Sequence, residues 1–72
     1  MSEKEKILKL EEIMEVEEGT LKLTDKLNDF DEWDSIAILS FIAMMDSDFG
    51  KIVKGSEVKE LETVQDAIAM MN

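Results

Sequence analysis

Between Ile36 and Phe49 the apolar side chains recur at Ile38, Phe41, Ile42, Met45 and Phe49. At about 100° per residue these five gather within an arc of about 100°, the pattern of a helix with one face in a core. Asp34 stands before the run as a candidate N-cap and Gly50 after it as a candidate C-cap, so the spacing predicts a helix over 35–49. A chain of this length that commits so much of its apolar content to one helix must bury that face against further helices.

The flanking segments supply them. Ser2 and Glu5 have the form of a capping box, and Ile7, Leu10 and Met14 then share a face, predicting a helix over about 3–15. Gly19 and Thr20 break the pattern, and Leu21, Leu23, Leu27 and Phe30 are scattered among Asn28, Asp29 and Asp31 without a sustained period. This reads as a long loop with a turn of helix after Thr24, pinned by Leu23, Leu27 and Phe30, with Trp33 either plugging it against the core or edging a docking site. Gly55 and Ser56 open a short helix over about 56–61 carrying Val58 and Leu61. Thr63 and Asp66 cap a last one over about 63–71, with Val64, Ala67, Ile68 and Met71 on one face. The expected fold is all-α, a small four-helix bundle forming a single domain over residues 1–72.

Composition narrows what such a bundle can do. The 72 residues include no Cys and no His, so neither disulfides nor a zinc site can staple the fold, and packing of the 44% apolar residues must suffice. The same absence removes an imidazole base, a thiolate nucleophile and a redox dithiol, and a helical chain this small is a poor enzyme. Eighteen acidic against eight basic residues give a formal charge of −10, which repels phosphate backbones and anionic membranes. The N-terminal MSEKEK precedes no apolar leader, and the apolar run Ile36 to Met45 is too short to span a bilayer. The expectation is a soluble, cytoplasmic monomer that binds neither nucleic acid nor membrane.

The helix over 35–49 carries a second apolar strip. Opposite its core face lie Ile36, Leu39 and Ala43, interleaved with Ser40 and Ser47. Isolated exposed apolar side chains are ordinary on small domains, but this strip begins beside a serine at a helix start. Asp34 can serve as the cap, which frees the Ser35 hydroxyl on the first turn, where unpaired N–H groups and the helix dipole favour a negatively charged substituent. The hydroxyl is well placed to bear a phosphodiester.

The run Asp34, Ser35, Ile36 resembles the Asp-Ser-Leu motif of acyl carrier proteins and the related peptidyl and aminoacyl carrier domains. The likeness continues through Phe49, Val53, Val58, Leu61, Thr63, Val64, Ala67 and Ile68, and covers the length, the acidity and the order of helices. The resemblance implies the bundle of that family and a 4′-phosphopantetheine arm on Ser35, with Asp34 as its motif neighbour. A phosphopantetheinyl transferase would attach the arm from coenzyme A, and its thiol would carry acyl or aminoacyl groups as thioesters. A chain without Cys would then obtain its only thiol from the cofactor. It would be a presenting subunit, not an enzyme, serving loading ligases and acyltransferases or synthases. Ile36, Leu39 and Ala43 are then expected to meet those partners, with Asp34, Asp46 and Asp48 steering them by charge.

Glu32 stands where fatty-acid carriers commonly have Gly, Ala37 and Ser40 where they have acids, and Trp33 and Ile36 differ as well. These departures favour a dedicated carrier of a specialised pathway, such as envelope-polysaccharide modification, aminoacyl transfer or secondary metabolism. The rival is an unmodified acidic interaction module, a degenerate carrier using the same strip. Asp46, Asp48, Gly50 and Glu57 faintly suggest a calcium loop, but Lys51 falls where its Gly belongs, so an EF-hand is rejected and no metal site is expected. Asp29, Asp31, Glu32 and Asp34 read as a solvated acidic loop, with loose divalent-cation binding by these crowded carboxylates as the weaker alternative.

Overall fold

The computed structural model describes residues 1–71. Its first helix, α1 (Glu3–Met14), begins with the capping box closed on both sides. The Ser2 hydroxyl accepts the Glu5 N–H at 3.2 Å, and Glu5 Oε1 accepts the Ser2 N–H at 3.2 Å. It buries Leu10 and Met14, with Ile7 half-buried beside them. The helix stops at Met14, one residue short of the expected end, because Glu15 turns left-handed at φ 58°. The Glu15 N–H returns to the Glu11 and Glu12 carbonyls and the Val16 N–H reaches the Glu11 carbonyl at 3.1 Å, a Schellman closure at a position that normally belongs to glycine.

In α2 (Ser35–Phe49) the caps are those the sequence predicts. Asp34 Oδ1 accepts the Ala37 N–H at 3.0 Å, and Gly50 closes the far end at φ 64°. The core face is rotated. Full burial falls on Ala37, Phe41 and Met45, a single row at every fourth residue, while Ile38, Ile42 and Phe49 are only half-buried. The row lies about 50° round from the centre of the expected arc. Trp33 draws it there: the indole is buried just before the helix and stands edge-on to the Phe41 ring, 6.0 Å between centroids at 77°.

Two short helices complete the bundle. In α3 (Gly55–Lys59) Glu57 Oε1 accepts the Lys54 N–H at 3.0 Å and Val58 is buried. It starts one residue early and ends two early, leaving Leu61 half-buried in the link to α4. α4 (Val64–Met70) is capped by Thr63 and Asp66, and buries Val64, Ala67, Ile68 and its cap residue Met71, the face the sequence predicts.

The long loop from Val16 to Trp33 is held by backbone pairing as much as by apolar pins. Leu27 is fully buried on a 3₁₀ turn (Leu27–Asp29), Leu21 is buried, and Leu23 and Phe30 are half-buried. Beside it the Leu27 N–H reaches the Glu62 carbonyl at 2.9 Å, while Val64 and Gln65 donate to the Asp25 and Leu23 carbonyls at 2.9 and 3.1 Å. Lys26 and Thr63 form an isolated antiparallel bridge there. The loop thus accepts the first N–H groups of α4, which no intrahelical partner can satisfy. The described residues form four α-helices and no strand, an all-α fold. No helix among them is long and apolar enough to cross a membrane.

Candidate functional site

Ser35 is the first residue of α2 and is exposed to solvent. Asp34 does the capping, so the serine hydroxyl is not spent on the helix end. The first turn of α2 contains no acidic residue, and α2 contains no basic one. A negative group on Ser35 would meet free N–H groups and the positive end of the dipole, an attraction of about 0.3–1 kcal/mol at an exposed site that is set against the carboxylate of its neighbour Asp34.

From Ser35 an apolar ridge runs along the outer side of α2. Ile36 is 73% exposed and Leu39 66%, and Ala43 is exposed one turn further on. Asp46, three residues after Ala43, continues the same side and is exposed. Asp48 does not belong with them. Its Oδ2 accepts from Lys9 Nζ at 2.8 Å, tying the end of α2 to α1, and Ser47 Oγ donates to its Oδ1 at 3.1 Å. The Lys9 bond and then the Ser47 bond hold the Asp48 carboxyl below its ordinary value, and the Asp48 bond raises Lys9. Asp48 thus differs from Asp46 in having a lysine partner within the molecule, and it lies on the opposite flank of α2.

Beside Ser35 a cleft of about 310 Å³, open on one side, separates the end of α1 from the start of α2. Met14 and Ala37 form its floor and Ile13 and Ile36 its apolar walls. Glu12, Glu15, Glu32 and Asp34 stand around it with Ser40. The acids of α1 were not legible as site residues, because nothing local in the sequence reports that the end of α1 faces the start of α2. Among the described residues no group of three or more acidic side chains is arranged to hold a metal ion.

Sequence reasoning also missed Glu11, which is 2% exposed. Its Oε2 accepts the Gly19 and Leu21 N–H groups, both at 2.9 Å, and its Oε1 is buried without a hydrogen-bond partner among the described residues. The carboxylate fixes the turn that begins the loop leading to Ser35. Its signal was present: Glu11 sits among Ile7, Leu10 and Met14 on the apolar stripe of α1.

Compared with protein-family models, with curated proteins and with solved structures, the chain matches none.

Proposed function

We propose that the chain is a carrier of the acyl-carrier-protein type, its bundle arranged as in that family, with Ser35 as the attachment site for 4′-phosphopantetheine. One observation carries the reading: Asp34 caps α2 and leaves the Ser35 hydroxyl exposed on the first turn, at the head of an exposed apolar ridge. The residues present fit the group. Ser35 offers an oxygen for a phosphodiester, and the surrounding N–H groups offset its charge. When bound, the arm supplies a thiol on which acyl or aminoacyl groups ride as thioesters.

Attachment is a displacement by Ser35 Oγ on coenzyme A. A phosphodiester forms to the pantetheine phosphate and adenosine 3′,5′-bisphosphate leaves. The hydroxyl proton would pass to a general base in the transferase complex. Ile36, Leu39 and Ala43 then present a small apolar surface to successive enzymes, with Asp46 and Asp34 attracting basic partners. Such contacts should be transient and weaken with salt, because tight binding to one enzyme would block transfer to the next. The departures at Glu32, Trp33, Ala37 and Ser40 favour a dedicated pathway over housekeeping fatty-acid synthesis.

Co-expression with a promiscuous phosphopantetheinyl transferase tests the reading. The intact mass should rise by one phosphopantetheine, and Ser35→Ala should abolish the gain. A wild-type chain left unmodified while a control carrier is modified would favour the rival, an interaction module that uses the ridge alone.

A further inference from the structure

We infer that the cleft between α1 and α2 is the resting place of the group carried on Ser35, and that it selects a cargo bearing a positive charge, an aminoacyl group; the inference rests on the carrier reading. Position comes first. Asp34 and Ile36, the two chain neighbours of Ser35, both line the cleft, so whatever is tethered at residue 35 starts at its mouth. Occupancy of a neighbouring cleft by a tethered group is intramolecular, and even a shallow site is then populated at high effective concentration.

Size and lining define the cargo. About 310 Å³ lies at the bottom of the range of small-molecule sites, enough for a short polar group and small for a long acyl chain. Met14 and Ala37 on the floor, each 2% exposed, with Ile13 on the wall, give methylene groups an apolar surface. Around that surface stand Glu12, Glu15, Glu32 and Asp34, with no lysine in the lining. A dicarboxylic acyl group would bring a further negative charge to four carboxylates in a chain of net charge −10. A simple alkyl group would leave them indifferent. An ammonium group answers both the apolar floor, through its carbon stem, and the acidic rim.

The test loads Ser35 with hydrolysis-resistant amide analogues of the cargo and reads backbone ¹H–¹⁵N spectra of the intact chain. Three loads are compared: glycyl, N-acetylglycyl and succinyl. The readout is the amides of Glu12, Ile13, Met14 and Glu15, which lie at the end of α1 and its C-cap, far in sequence from the attachment residue. With glycyl cargo these amides should shift relative to the arm alone. The shift should be lost on N-acetylation, absent with succinyl, and lost for glycyl in a Glu12→Gln, Glu15→Gln variant whose remaining spectrum is unchanged. Equal shifts for charged and neutral cargo, or α1 amides unmoved by every load, would overturn the inference and leave the carrier reading standing. A chain that the transferase cannot modify would remove both.

Discussion

Removal of the Glu11 side chain should damage this fold more than any exposed acid does. Its carboxylate accepts two backbone N–H bonds at 2.9 Å, one of them, from Leu21, buried. A hydrogen bond to a charged group contributes about 1.5–3 kcal/mol. Gly19 is exposed and its N–H can turn to water, so the full loss applies to the Leu21 bond and a part of it to the other. Glu11→Ala also opens a small cavity, against a helix-propensity gain of a few tenths of a kcal/mol. The expected net cost is about 2–4 kcal/mol, from a total of about 4–11 kcal/mol at 0.05–0.15 kcal/mol per residue. In urea, with a slope of about 1 kcal/mol/M for a domain this small, the midpoint should fall by about 2–4 M. Glu11→Gln keeps an acceptor for both N–H groups but puts an amide NH2 where Oε1 lacks a partner, so it should cost something, yet less than the Ala variant. Equilibrium urea melts followed by circular dichroism and by Trp33 fluorescence report both variants. An Ala variant within about 1 kcal/mol of wild type would refute the reasoning, as would a Gln variant as damaged as Ala, since the acceptor would then not be what matters.

Glu15→Gly should raise stability, because a left-handed non-glycine residue costs about 1–2 kcal/mol and glycine returns about 0.5–1 of that as unfolded-chain entropy. A thermal melt should rise by a few degrees, and a fall would show that Glu15 is not strained. Leu39→Asp should change stability by less than about 1 kcal/mol, since the side chain is 66% exposed, while strongly impairing turnover by a partner enzyme. Equal losses of both would place Leu39 in the core. On acidification, Glu5, Asp48 and Asp66 lose the hydrogen bonds that hold their carboxyls below the ordinary values of 4.5, 3.8 and 3.8. Their contribution is complete above those values and drains as pH falls through the lowered ones, so the melting temperature should drop below about pH 4 and drop less steeply in Asp66→Asn. A melting temperature flat from pH 5 to about 2 would contradict that.

What the sequence made legible was local. The caps at Ser2 with Glu5, at Asp34 and at Thr63 with Asp66 are where the spacing predicts, because a cap is a bond between residues three apart. The buried face of α4 followed from its own period. The face of α2 did not, since Ala37 carries little apolar signal and its burial depends on where Trp33 and Phe41 meet. The pairing of Leu23, Asp25 and Leu27 with the α3–α4 link is backbone bonding between distant segments, to which side-chain pattern is blind. At the site, Asp34, Ser35 and the ridge could be read from helical spacing alone. The Lys9 to Asp48 bond and the approach of Glu12 and Glu15 to the start of α2 could not, because each depends on how two helices pack.

The most direct test of the carrier reading is site-resolved mass spectrometry of the chain after incubation with a phosphopantetheinyl transferase and coenzyme A. The account predicts a single pantetheine-phosphate adduct on Ser35, with Ser2, Ser40, Ser47 and Ser56 unmodified. No adduct, with the transferase active on a control, or an adduct on any other serine, would contradict it.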